Sequence, residues 1–146
     1  MQIIRPVTVT NTVLSSSTVP ENDYAAWASG TTYATGNKVI LVSTHSVYES
    51  LISSNTGNNP ATDDGTKWLK LGATNRWKAF DQKIADQVVQ ANSINYVFTP
   101  NANVTSVAFF NVSGISVNVT MTDPVDGEVY NRTISLIDTE VVVDWF

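Results

Sequence analysis

The sequence predicts an all-β fold in three parts. An N-terminal strand and connector occupy residues 1–23, and a small three-stranded, aromatic-rich domain follows over 24–72. An antiparallel, jelly-roll-like β-sandwich occupies 73–146, and the chain leaves it open at its C-terminal end. Three observations predict this. Charged residues make up 14% of the chain, against roughly 25% in an average globular domain, while Thr, Ser, Asn and Val, which suit exposed strand faces, are abundant. From Ser93 onward β-branched runs recur about every ten residues with turn residues between them. Within that region residues 115–123 alternate cleanly, with Ile115, Val117, Val119 and Met121 on one face and Ser116, Asn118, Thr120 and Thr122 on the other.

The totals bound what the chain does. A length of 146 residues supports one ordinary domain or two small ones. A net charge of −5 and a pI near 4.5, with eight scattered Lys and Arg, exclude nucleic acid as a partner, because such binding needs a basic footprint. Cysteine is absent, so there is neither a disulfide framework nor a thiolate zinc site. That suits synthesis in a bacterial cytoplasm. No apolar run reaches the length of a membrane span, so membrane insertion is not expected. The N-terminal residues lack the basic and apolar regions of a signal peptide.

Taken in order, residues 2–10 are β-branched and loosely alternating and read as a strand, with Pro6 placing it at an edge or moving its start to Val7. Residues 11–23 are Ser-rich but carry Val13, Leu14 and Val19 as anchors, which a flexible linker would lack. Ala25-Ala26-Trp27 suits a short helical turn capped by Asn22 or Asp23. Lys38–Ser43, His45–Ile52 and Trp68–Leu71 read as three short strands, with a long polar loop between Ser53 and Thr66. Over 73–92, Trp77, Phe80, Ile84 and Val88 fall at helical spacing, although Asn75–Trp77 and Phe80-Asp81 suit strand ends equally well. Strands are then expected over 94–100, 105–113, 115–123, Val129–Leu136 and Thr139–Phe146, with a hairpin turn carrying Asp126-Gly127.

Few residues suggest chemistry. His45 is the only histidine. Glu49 shares its face in a strand, so the two could share an ion, although a polar residue on a half-exposed strand explains His45 as well. A serine–histidine–aspartate hydrolase would use His45 as base, yet no nucleophile elbow occurs. Asp63-Asp64 with Asn58 and Asn59 could hold calcium, but the spacing is not that of an EF-hand loop. The thirteen acids are dispersed, without the carboxylate pair of a glycoside hydrolase. Asn103, Asn111, Asn118 and Asn131 open N-x-S/T triplets, as Asn- and Thr-rich strands do by composition. No metal, cofactor or catalytic residue is assigned. The remaining candidates are the rings of Tyr24, Trp27, Tyr33, Tyr48 and Trp68, together with Trp77. Rings of this kind stack on sugars when exposed and build the core of a small module when buried.

The spacing Trp27…Tyr33-x-x-Gly36-x-x-Val39…Val47-Tyr48-Glu49…Pro60…Trp68 resembles the chitin-binding modules of the family 5/12 carbohydrate-binding type. The match covers about residues 24–71. It implies a three-stranded module with Tyr48-Glu49 on the middle strand, Trp68 closing it, and Tyr24, Trp27, Tyr33, Tyr48 and Trp68 as sugar-binding candidates. A single Trp stands in Lys67-Trp68-Leu69-Lys70, where chitin-binding members often carry a pair.

On a longer scale, R-P-V-T-V-T at 5–10, V-P-E-N-D-Y at 19–24, W-A-S-G-T-T-Y at 27–33, V-Y-E-S-L at 47–51 and N-R-W-K-A-F-D at 75–81 resemble tail-associated virion proteins of bacteriophages. In those proteins such a module precedes a sandwich resembling galactose-binding domains. The resemblance implies a non-enzymatic structural component of a tail or baseplate, made in the host bacterial cytoplasm and located in the virion. Its expected partners are other virion tail proteins and further copies of itself, with host surface polysaccharide as the alternative ligand. Residues 141–146 (V-V-V-D-W-F) are apolar, so Val141, Val143, Trp145 and Phe146 are the expected assembly interface, or a strand completed by further chain.

Overall fold

The computed structural model describes residues 7–83 and 85–137. They belong to two compact units, Met1–Val107 and Ala108–Phe146. The fold class is the expected one, all-β and built from antiparallel sheets, with only 3₁₀ segments at Val42–Thr44 and Asn75–Phe80. The unit boundary falls inside the expected 73–146 domain, so residues 73–107 pack with the aromatic module.

In the first unit β1 is Leu14–Ser17, β2 Thr32–Tyr33, β3 Lys38–Leu41, β4 Ser46–Ser50, β5 Asn55–Thr56, β6 Trp68–Ala73 and β7 Tyr96–Phe98. The centre is a three-stranded sheet in the order β3-β4-β6, so the strand carrying Tyr48-Glu49 lies in the middle. Its register sets Val39 opposite Tyr48, and Ser50 opposite Trp68. Strand periodicity then puts Val39, Tyr48 and Trp68 on one face, where Tyr33 from β2 joins them and Trp27 and Leu41 pack alongside. Tyr33 meets Trp68 edge-on at 5.3 Å, the arrangement that ring quadrupoles favour. The turn into β3 is set by Gly36 at φ 83° and by the Asn37 side chain, whose Oδ1 accepts from the Ala34 N–H at 2.8 Å.

The polar stretch over 53–66 is a structured wrap rather than an open loop. Asn55 is fully buried, donates to Ser50 Oγ at 3.0 Å and to the Lys67 carbonyl at 3.2 Å, and accepts from Asn58 at 2.7 Å. Those bonds offset the desolvation of its amide. Asp63 Oδ2 accepts three backbone N–H groups, from Gly65, Lys67 and Trp68, and so pins the start of β6.

Several local expectations fail for identifiable reasons. The N-terminal strand forms at Leu14–Ser17, inside the segment expected to connect, and residues 7–10 form none. The Ser-rich run finds its ladder on β7, with Ser17 opposite Tyr96 and Ser15 Oγ bonded to Thr99 Oγ1 at 2.6 Å. Ala25–Trp27 is not a helical turn. Its backbone runs parallel beside β3, with the Trp27 N–H bonded to the Ile40 carbonyl at 2.9 Å and the Ile40 N–H to Ala25 at 3.1 Å. The helical spacing at Trp77 and Phe80 is met by a 3₁₀ segment of six residues. In such a helix residues three apart eclipse, so both rings lie on one side. It ends at Asp81, before Gln82 at φ 59°. Residues 105–113 form no strand.

Those two rings join the sheets of the first unit. His45 stacks on Trp77 at 3.9 Å, Trp77 meets Phe80 edge-on at 5.7 Å, and Phe80 meets Tyr96 at 5.2 Å and Phe98 at 5.7 Å. This aromatic column carries packing from the β3–β4–β6 sheet to the β1–β7 ribbon.

In the second unit β8 (Ser116–Asp123) and β9 (Gly127–Ser135) form one antiparallel ribbon. Its turn is held by Asp123, whose Oδ1 accepts from the N–H groups of Val125 at 2.8 Å and Asp126 at 3.2 Å. These bonds hold its carboxyl below the usual carboxylate range. The expected alternation holds. Val117, Val119 and Met121 face Ile134, Arg132 and Tyr130 across the ribbon. On the other face Asn118 bonds Asn131 and Thr133, each at 3.0 Å. None of the described residues 108–137 is buried.

Burial pushes the Tyr96 phenol up to about 12, and its hydroxyl donates to the Arg76 carbonyl at 2.9 Å. The folded protein therefore retains this proton where the unfolded chain has lost it, and stability falls as pH rises between the ordinary tyrosine value, about 10, and about 12. Urea midpoints measured across that window should fall with pH, and Tyr96→Phe should flatten the fall.

Candidate functional site

The structure brings four of the five rings that the resemblance groups together into one cluster, as core and not as an exposed row. Tyr33, Tyr48 and Trp68 are core residues, with relative exposures of 8%, 6% and 2%. Their polar atoms are also taken. The Tyr33 hydroxyl accepts from the Ala28 N–H at 2.8 Å, the Tyr48 hydroxyl bonds Thr44 Oγ1 at 3.3 Å, and Trp68 Nε1 donates to the Asn58 carbonyl at 2.9 Å. Trp27 packs half-buried against this cluster. Only Tyr24 is exposed, at 43%, with Lys38 Nζ 5.9 Å from its ring centroid. These rings therefore form no stacking platform: a small sheet with few aliphatic residues builds its core from them. Val141, Val143, Trp145 and Phe146 lie outside the described residues.

The polar centre of the first unit lies elsewhere, on Glu21. This residue sits in the stretch after β1, and its side chain is only 6% exposed. Oε1 accepts from Thr74 Oγ1 at 2.9 Å and bonds His45 Nδ1 at 3.0 Å, while Oε2 lies 3.2 Å from the same nitrogen and 4.0 Å from the Arg76 guanidinium. The His45 contact becomes an ion pair when the imidazole is protonated. Neighbouring bonds repeat the tie: Arg76 Nε donates to the Val19 carbonyl at 2.6 Å, and the Asn75 N–H donates to Asp23 Oδ1 at 2.9 Å. Thr74, which is fully buried, also donates its N–H to the His45 carbonyl at 2.9 Å.

His45 meets Glu21 because it is not in a strand. It closes the 3₁₀ segment Val42–Thr44 in the left-handed region at φ 49°, which turns its side chain away from the β4 alternation. The His45–Glu49 pairing that a strand would have allowed is therefore not formed. Glu49 instead pairs across β3–β4 with Lys38 at 3.7 Å. Nothing in the local spacing signals the Glu21–His45 contact.

Beside His45 runs an open groove of about 530 Å³, lined by Thr10, Ser43, His45, Lys70, Trp77 and Asp81 among others. A smaller one, about 260 Å³, lies against Asn58, Asn59, Asp63 and Lys67. At the second, the side chains weighed as calcium ligands are otherwise engaged. Lys67 Nζ occupies Asn58 Oδ1 at 2.8 Å, and the carboxylates of Asp63 and Asp64 are held by backbone N–H groups. Among the described residues no cluster of three or more metal-ligating side chains occurs, and no helix is long and apolar enough to cross a membrane.

No protein-family model, no curated protein and no solved structure matches the chain.

Hydrogen bonds to a charged group contribute about 1.5–3 kcal/mol each, and a buried carboxylate depends on all of its partners. Glu21→Gln keeps the shape and loses the charge, so it should cost about 2 kcal/mol in urea unfolding. A change within about 0.5 kcal/mol, as at an ordinary surface position, would show that the tie carries no stability.

Proposed function

We propose that this chain is a non-enzymatic structural component of a bacteriophage tail or baseplate, acting in virion assembly and thereby in host-surface attachment. The observation that carries this reading is the β8–β9 ribbon. One of its faces is apolar apart from Arg132, with Tyr130 and Ile134 at least 40% exposed and Met121 at 36%. An isolated two-stranded ribbon is marginal at best in water. Exposed apolar faces of this kind mark association surfaces, and assembly by burying them against other tail subunits or further copies of the chain is the mechanism that follows.

The resemblance to tail-associated proteins gains coherence from the Glu21 centre. The segments V-P-E-N-D-Y at 19–24 and N-R-W-K-A-F-D at 75–81 are far apart in sequence, yet they are bonded directly to one another through Glu21–Thr74, Asp23–Asn75 and Arg76–Val19. They act as one structural element, which is what a shared scaffold would need. Recognition of host polysaccharide by Tyr33, Tyr48 and Trp68 is not supported, because those rings are enclosed.

Mass spectrometry of density-purified virions from the phage that encodes the chain tests this reading. The chain should be present at a fixed copy number per particle, and Val119→Glu on the apolar ribbon face should lower its incorporation. Recovery only in the free lysate fraction, with particles intact without it, would contradict the proposal.

A further inference from the structure

The β8–β9 ribbon has two long edges, and its register shows which backbone groups each edge leaves open. The Leu136 N–H bonds the Ile115 carbonyl at 2.9 Å, and Ser116 lies opposite Ser135. Ile115 and Leu136 are therefore a hydrogen-bonded pair, and in an antiparallel ladder such pairs alternate with unbonded ones. Val117, Val119 and Met121 thus direct their N–H and C=O groups at β9, whereas those of Ser116, Asn118 and Thr120 point away from it. Among the described residues no other strand or backbone group meets them. Such an edge is a template for a further strand, and proteins blunt it with charges, prolines or bulges. β9 is defended in this way: it carries Glu128 and Arg132, and a register shift leaves Val129 without an opposite residue. β8 is not defended, having no charge, proline or glycine from Ser116 to Thr122. Its polar side chains are held inside the ribbon, Asn118 Nδ2 on Asn131 and Thr133 and Thr120 Oγ1 on Asn118 Oδ1, each at 3.0 Å. What the edge offers a partner is main chain.

We propose that the β8 edge pairs antiparallel with β8 of a second copy of the chain, making a four-stranded sheet in the order β9-β8-β8-β9. This rests on the reading of the ribbon as an association surface and names its partner. A second copy is the occupant because the strand is complementary to itself. With Val119 on the two-fold axis, Val117 lies opposite the partner's Met121 and Asn118 opposite the partner's Thr120. Apolar side chains then meet apolar ones on one face, amide meets hydroxyl on the other, and the outward N–H and C=O groups of both copies come into register. Two-fold symmetry sets like residues near one another, and this stretch of β8 carries no charge to be opposed by its own kind. Independent stability needs three or more strands with a hydrophobic face, which a lone ribbon lacks and the pairing supplies. The seam alone is smaller than the roughly 1,200 Å² of a stable interface, so the dimer dissociates on dilution.

Hydrogen exchange of the full chain at two concentrations tests this amide by amide, with sedimentation run alongside. At about 500 μM the Asn118 and Thr120 amides should exchange roughly threefold more slowly than at about 10 μM, and sedimentation should show a monomer–dimer equilibrium across that range. The Val119 and Met121 amides, bonded to β9, should be protected at both concentrations. Thr120→Pro removes an outward N–H without touching a bond to β9, and Thr120→Lys keeps the backbone but sets a charge beside the axis. Each should weaken the dimer about tenfold or more. Thr133→Lys, at an outward position of β9, should leave it unchanged. A chain that stays monomeric at the higher concentration would overturn the proposal. So would protection of Asn118 and Thr120 that ignores concentration, because a segment of the same chain would then cover the edge. A dimer that survives both Thr120 variants is joined elsewhere and overturns it too. Virion incorporation is read separately: a dimer of a chain absent from particles keeps the seam and contradicts the tail reading, and a monomer found in particles does the reverse.

Discussion

The first unit depends on one buried carboxylate. Glu21 cannot be enclosed without partners, because an unpaired charge in a low-dielectric interior costs several kcal/mol, on the order of a domain's whole stability. Its partners come from separate parts of the chain: His45 at the mouth of β4, and Thr74 and Arg76 just past β6. Satisfying that one group therefore fixes the stretch after β1 against one end of the central sheet, where the start of β4 and the end of β6 lie side by side. Asp23 and Val19 bond the same 75–76 backbone and guanidinium, so the tie is a patch rather than a point.

Packing follows from that constraint. With His45 held at Nδ1, its ring becomes a fixed platform for Trp77, and the 3₁₀ spacing then delivers Phe80 to the β7 aromatics. The β3–β4–β6 sheet and the β1–β7 ribbon are thereby joined without a large aliphatic core. A second core, on Trp68 and Tyr48, is closed independently by the 53–66 wrap, where Asn55 and Asp63 do the work that hydrophobic residues do elsewhere. Among the described residues Glu21, Asp63, Asp81 and Asp123 are each used at a backbone or side-chain tie.

What was legible in the sequence was periodic or local. The β3, β4 and β6 strands and the β8–β9 hairpin follow from alternation and turn chemistry, while the middle position of Tyr48-Glu49 is what the resemblance to carbohydrate-binding modules implies. What was not legible depends on contacts across distance. Leu14–Ser17 looked like a connector because serines carry little intrinsic strand preference, and only the β7 backbone makes them a strand. His45 was placed in a strand with Glu49 because sequence spacing cannot show a left-handed residue that turns the side chain away. Burial of the aromatics was an open alternative to sugar stacking. The register that encloses Tyr33, Tyr48 and Trp68 decides between them, and it also removes the platform that the family resemblance implies.

Native-state hydrogen exchange tests the central claim most directly, because the tie is written in individual amides. The N–H of Asn75 bonds Asp23, that of Thr74 bonds the His45 carbonyl, and that of Ser50 lies within the central sheet on the Asn37 carbonyl. If Glu21 locks the connector to the sheet, the Asn75 and Thr74 amides open only with Ser50, at one shared free energy. If Asn75 and Thr74 exchange freely while Ser50 stays protected, the connector is merely resting on the sheet, and the account fails.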